Sequence, residues 1–90
     1  MDSPVFIAQG GPAITLPRQS NRVQVVPFTS SIERVYPSEA LVELSGRPAK
    51  AMADQLTTVA KSRLVNRVGQ ISAADLRRVE RAVMLQLGLS

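Results

Sequence analysis

The chain contains no cysteine and no histidine. Without cysteine there is no disulfide framework, no thiolate nucleophile and no thiolate metal ligand. Without histidine the commonest acid–base catalyst and the commonest zinc ligand are missing together. Any chemistry must therefore use Asp, Glu, Arg, Lys, Thr, Ser or Tyr, and no metal or cofactor is expected. Aromatic residues are few: Phe6, Phe28 and Tyr36 are all there are, and they do not interleave with the basic residues. A platform on which nucleic-acid bases stack is thus poorly supplied. Acidic residues are also in deficit, 7 against 11 Lys and Arg, for a net charge of +4. The resulting pI near 10.7 favours an acidic partner, either nucleic acid or an acidic protein segment. No apolar run is long enough to cross a bilayer, and the start, Met1-Asp2-Ser3-Pro4, lacks the basic opening of a secretory signal. A cytoplasmic protein without membrane association is expected. Ninety residues predict one small domain, of a size that often gains buried apolar surface from a second copy or a partner.

What is present is short apolar runs cut by proline, glycine and hydroxyl residues. Pro4 to Ala8 reads as a short buried strand, stopped by Gln9-Gly10-Gly11-Pro12. Residues 13–21, flanked and interrupted by Pro12 and Pro17, read as a loop. Arg22 to Val26 is the clearest strand, and Ala40 to Leu44 is another, with Ser45-Gly46-Arg47-Pro48 as a hairpin-type connection. Residues 49–59 are ambiguous, because alanines favour helix at one end and Thr57-Thr58-Val59 favours strand at the other. Asn66 to Ile71 alternates like a strand. The last segment is unambiguous. Ser72 with Asp75 three residues on is an acidic variant of the capping box, and Leu76, Val79, Val83 and Leu87 recur at helical spacing before Gly88. Arg77, Arg78, Glu80 and Arg81 fall on the other faces, where solvation is the ordinary role. The residues by themselves predict an α+β, mainly β domain, a small barrel with a C-terminal helix.

Between two of these strands lies Val25-Val26-Pro27-Phe28-Thr29-Ser30-Ser31. Three hydroxyl residues at a strand end are ordinary turn chemistry, because their oxygens bond amides two or three positions on. They are also what a phosphate-binding strand end requires. Composition alone favours the turn.

The order of Val25-Val26-Pro27-Phe28-Thr29-Ser30, then Val35-Tyr36-Pro37-Ser38-Glu39-Ala40-Leu41-Val42-Glu43-Leu44, then Ala51-Met52-Ala53-Asp54-Gln55-Leu56-Thr57-Thr58-Val59, then Ser62-Arg63-Leu64 and Arg67-Val68-Gly69-Gln70-Ile71-Ser72 resembles the MazF/PemK family. These are endoribonuclease toxins of type II toxin–antitoxin pairs. The resemblance runs from about Pro4 to the end. It implies an SH3-like barrel, a homodimer, and metal-independent cleavage of single-stranded RNA or mRNA that inhibits growth. It also implies a cognate antitoxin with an acidic, disordered tail, contact with DNA only through that antitoxin, and strand structure through Asp54. Family members open with a basic first strand, then a loop, then an Arg-Pro pair leading the second strand. Matching Pro4–Ala8 to that second strand leaves residues 1–90 as a single toxin domain lacking the first strand. It also sets Ser3 where the family has an arginine. In the PemK branch a second arginine precedes the aspartate by two residues, and Met52 stands there.

Metal-free RNA cleavage needs a base for the 2′-hydroxyl proton, donors for the charge on the phosphorane and an acid for the leaving 5′-oxygen. By resemblance Asp54 is the base, with Gln55 positioning beside it. Thr29 matches the family's active-site threonine, with Ser30 next to it as a substrate-binding residue. Were 50–54 a strand, Lys50, Met52 and Asp54 would share a face, and Lys50 could supply a point charge to the phosphate. Solvation is the plainer role for Lys50, and bracing a surface for Arg63 and Arg67. Two further readings stand beside the nuclease: a catalytically impaired dimer that binds antitoxin or RNA without cleaving, and a basic barrel unrelated to RNA.

Overall fold

Short runs of Val, Ile and Ala become strands, and the one segment with helical spacing becomes a helix. The computed structural model describes residues 3–8, 11–16 and 21–88. Along the chain these form β1 (Ser3–Ala8), β2 (Gly11–Leu16), β3 (Arg22–Thr29), β4 (Glu39–Leu44), β5 (Arg47–Met52), β6 (Thr57–Ala60), β7 (Arg67–Ile71) and α1 (Ala73–Gln86), with 3-10 turns at Ala53–Gln55 and Lys61–Arg63. Every strand pairing among the described residues is antiparallel. The sheet order is β4-β5-β3-β2-β1-β7, and β6 also pairs with β3.

β3 changes partner along its length, and this bends the sheet. Arg22–Val25 pairs with β6, whereas Phe28 and Thr29 pair with Ala51 and Lys50 of β5. Pro27, which has no N–H to offer a ladder, falls at the handover between the two. The far ends then approach one another. The Ser45 amide donates to the Gln70 carbonyl at 3.4 Å, which joins the β4–β5 turn to β7. That turn has two residues, Ser45 (φ 51°) and Gly46 (φ 84°), the doubly positive geometry that matches hairpin twist. Gly69 permits the approach: a Cβ there would lie 2.5 Å from Ser45 Oγ and 3.0 Å from Leu44 Cδ1.

The main core gathers Val5, Ile14, Val26, Phe28, Ile71, Val79 and Val83. A second cluster of Ala8, Ala13, Val23, Val25 and Val59 lies apart from it. Neighbours Ala13 and Ile14, and Val25 and Val26, therefore bury themselves in different clusters, as the period-2 alternation of a strand requires. α1 covers the main core with Val79, Ala82 and Val83. Ser72 Oγ accepts from the Asp75 amide at 3.1 Å, so the capping expectation holds. Asp75 is itself buried, and its carboxylate accepts from the Glu43 amide of β4 at 2.9 Å and from Arg78 Nη1 at 2.9 Å. The cap thus also fastens the helix to the sheet.

Three expectations are corrected. Residues 13–21 are not all loop, because Gly11–Leu16 is a strand between β1 and β3. Pro12 sits second in that strand, where a missing donor costs little, and Ala13 and Ile14 supply two buried faces. Among the described residues two strands therefore precede β3, and Gly11-Pro12 leads the second of them. The strand expected through Asp54 ends at Met52, because residues 53–55 turn in 3-10 geometry to bring Ala53 into the core. Leu87 is 53% exposed and caps the helix rather than packing beneath it.

Candidate active site

Thr29 is the last residue of β3 and is half-buried. Its Oγ1 accepts from the Ser31 amide at 3.2 Å, which is the turn bond expected of Thr-Ser-Ser. A threonine hydroxyl has two acceptor lone pairs and one donor proton. Accepting from Ser31 therefore fixes the oxygen and leaves the proton available. Thr29 and Ser30 line an open groove of about 400 Å³ with Pro12, Phe28, Leu44, Arg47, Pro48 and Ala49. The turn thus also forms one wall of the groove.

Lys50 lies opposite Thr29 in register, yet it does not line this groove. Nζ donates to the Arg34 carbonyl at 2.8 Å and to Glu39 Oε1 at 3.0 Å. The paired side chains are only 12% and 8% exposed, and Nζ stands 5.9 Å from the centre of the Tyr36 ring. Lys50 is neither solvated nor a free phosphate ligand. Glu39 also accepts from the Tyr36 amide at 2.9 Å. That amide bond, reinforced by Lys50 and opposed by burial, holds its carboxyl below the usual glutamate range.

Asp54 and Gln55 lie on the 3-10 turn and both are exposed. Gln55 Nε2 reaches Met52 Sδ at 3.6 Å and lines a smaller recess of about 210 Å³ with Gly11, Pro12, Val25, Pro27 and Phe28 among others. This recess and the Thr29 groove share Pro12 and Phe28 as walls. The turn itself is anchored by the Ala53 amide, which donates to the Ser38 carbonyl at 3.0 Å. Asp54 lines neither depression. Among the described residues no three acidic side chains converge as metal ligands would, and no helix is long and apolar enough to cross a membrane.

Arg47 was not singled out in the sequence, where it reads as part of a turn. It begins β5, is exposed, and lines the groove with Thr29 and Ser30. Continuing the β3–β5 register past Thr29 sets the first residues of β5 beside the end of β3. The one available signal was the Ser-Gly turn at 45–46, which returns the chain and its following arginine to that strand end. The groove thus combines an apolar wall, two hydroxyls and a guanidinium with no partner among the described residues, a set suited to a phosphodiester with an adjoining base.

Comparison with known proteins agrees with this architecture. Residues 11–87 match the family described as PemK-like, MazF-like toxin of type II toxin-antitoxin system. The chain is 37% identical over 71 residues to endoribonuclease MazF9 of Mycobacterium tuberculosis, a match covering 74% of this chain and 60% of that relative. It thus spans less than two thirds of that curated protein. Among solved structures, an endoribonuclease from a mycobacterial species superposes with a TM-score of 0.83 at 21% identity, over 97% of this chain and 89% of that one. An endoribonuclease in complex with its cognate antitoxin, also mycobacterial, superposes with a TM-score of 0.81 at 21% identity, over 98% and 94%. With the matched segment running from the head of β2 past the end of α1, the chain belongs to the PemK-like, MazF-like toxin family.

Proposed function

We propose that this protein is a toxin endoribonuclease that cleaves single-stranded RNA and is neutralised by a cognate antitoxin. The observation that carries this reading is the open groove at the end of β3, where Thr29, Ser30 and Arg47 present two hydroxyls and a guanidinium beside Phe28 and Pro48. A phosphodiester bound there receives the Thr29 proton on a non-bridging oxygen, oriented by the Ser31 amide, and two-pronged donation from Arg47. Negative charge grows on those oxygens as the 2′-oxygen attacks phosphorus, so such donors stabilise the transition state more than the ground state. The 2′-hydroxyl gives its proton to a base, the P–O2′ bond forms as the P–O5′ bond breaks, the departing 5′-oxygen takes a proton from water, and a 2′,3′-cyclic phosphate remains. Asp54 is the base by family resemblance alone, and Gln55 a positioning residue on the neighbouring wall. The chemistry requires no metal. The same basic groove attracts an acidic, disordered antitoxin tail for the reason it attracts RNA, and the antitoxin complex of a structural relative supports that partner. The active form is a cytoplasmic homodimer, in which exposed Val65 and Val68 near the β7 edge become candidates for cover.

A second reading, an impaired relative that binds without cleaving, is favoured by one feature. Gly11-Pro12 leads the second strand, where the family carries Arg-Pro, so the arginine position falls on Gly11 rather than Ser3. Gly11 lines the recess beside Gln55, and a Cβ there would meet nothing within 4 Å. The backbone there accepts a side chain.

Turnover of a labelled single-stranded RNA in EDTA decides between them. The nuclease reading expects cyclic-phosphate products from the wild type, none from Asp54→Asn, and a fall of roughly 100-fold for Thr29→Val, the scale of one lost oxyanion donor. The impaired reading expects RNA binding without products, and turnover only in Gly11→Arg. Full activity in both Asp54→Asn and Thr29→Val would refute the proposed site, and cleavage that requires a divalent metal would refute the mechanism.

A further inference from the structure

β3 and β4 both run antiparallel to β5, which lies between them, so β3 and β4 are parallel. Parallel strands need a crossover, and here it is only the segment from Ser30 to Ser38. This arch begins at the Thr29–Ser30 wall of the groove and ends where Glu39 enters β4. Its residues 33–37 are exposed and none belongs to the buried core. Short-range polar bonds must therefore hold it. The Tyr36 amide donates to Glu39 Oε1 and the Glu39 amide returns a bond to the Tyr36 carbonyl, both at 2.9 Å. Lys50, on the strand beneath, bonds Glu39 and also the carbonyl of Arg34, the middle residue of the arch. Arg34 in turn donates to the Tyr36 hydroxyl at 3.3 Å. One ammonium on the central strand ties both the middle and the far end of the arch.

We infer that Lys50 and Glu39 are positioning residues for the RNA groove: their buried ion pair latches the 30–38 arch over β5 and so sets Ser30 and the Ser31 amide against Thr29. The inference rests on the RNA reading of that groove. It assigns to Lys50 a role other than contact with phosphate, since two of its three donors are spent on Arg34 and Glu39 and it lines no part of the groove. Both partners are mostly buried, so the pair is screened far less than a surface salt bridge.

The sign of two substitutions separates a latch from simple electrostatics. Lys50→Met keeps the unbranched stem and removes both bonds. Glu39→Gln keeps an acceptor for the Tyr36 amide and removes the charge. If these residues act only through net charge, Lys50→Met weakens RNA binding and Glu39→Gln strengthens it. If they act as a latch, both weaken it, by roughly 3- to 30-fold on the scale of a charge-assisted bond, and the double variant is no worse than the worse single one. The experiment measures the affinity of the full chain for a 2′-O-methyl oligoribonucleotide, which cannot be cleaved, alongside amide exchange. The latch expects faster exchange at Tyr36 and Glu39 with α1 unchanged, which separates release of the arch from general unfolding. Tighter binding by Glu39→Gln, or arch exchange equal to wild type in both variants, overturns it. Failure of the wild type itself to bind the oligonucleotide overturns the RNA reading, and the positioning role with it. Wild-type binding with unmoved variants overturns the latch alone.

Discussion

Asp75 is the test of how the helix is held. Its carboxylate does three things at once. Oδ2 accepts from the Glu43 amide of β4 at 2.9 Å, Oδ1 from Arg78 at 2.9 Å, and the charge sits in the first turn of α1. A hydrogen bond from an amide to an ionised acceptor contributes about 1.5–3 kcal/mol. Partial exposure of this one lowers that to roughly 1–2 kcal/mol. The helix dipole adds about 0.5 kcal/mol. Arg78 adds less than about 0.5 kcal/mol, because its side chain is 60% exposed and pairs within the helix. Asp75→Ala should therefore cost about 2 kcal/mol, which lowers the Tm of a domain this size by roughly 8–16 °C. Asp75→Asn keeps an acceptor for Glu43 and should cost about half as much. Thermal melts by circular dichroism at neutral pH and moderate salt read both values. A shift of less than about 2 °C for Asp75→Ala would mean that the helix is carried by Val79 and Val83 alone.

The remaining predictions use other parts of the molecule. Ser72→Ala should cost about 1 kcal/mol through the lost bond to the Asp75 amide. Val83→Ala should cost about 1–3 kcal/mol because that side chain is buried in the main core; equal, negligible effects in denaturant unfolding would contradict the packing described. The lowered Glu39 carboxyl contributes stability that is fully present above the unfolded glutamate value, about 4.3, and that fades as pH falls through the folded value. Wild type should thus lose more Tm than Glu39→Gln between neutral pH and pH 3, and parallel curves would remove this account. Arg47→Gln should weaken RNA binding and reduce the slope of log affinity against log salt by about one; an unchanged slope would take Arg47 out of the interface.

The elements whose evidence is local could be read directly. The cap at Ser72, the helical spacing of Val79 and Val83, and the β-branched run of β3 all depend on residues a few positions apart. The Thr-Ser-Ser turn was legible for the same reason, and so was the family to which its order with Tyr36-Pro37 and Asp54-Gln55 belongs. What sequence could not supply were the contacts made by residues far apart in the chain. β2 was obscured because two prolines outweighed four residues of alternation, and only neighbours on both sides make Gly11–Leu16 a strand. The chain turns at Ala53 because burial of that small side chain decides it, against the strand expected through Asp54. Lys50 looked like a spare charge until β5 was set between β3 and β4, where Glu39 and the Arg34 carbonyl take up two of its donors. Arg47 looked like turn chemistry until the same pairing brought it to Thr29. Local hydrogen bonding and periodicity determine which segments turn, cap and coil. Whether a charged side chain is a ligand or a latch depends on which distant groups share its space, and that is decided when the sheet closes.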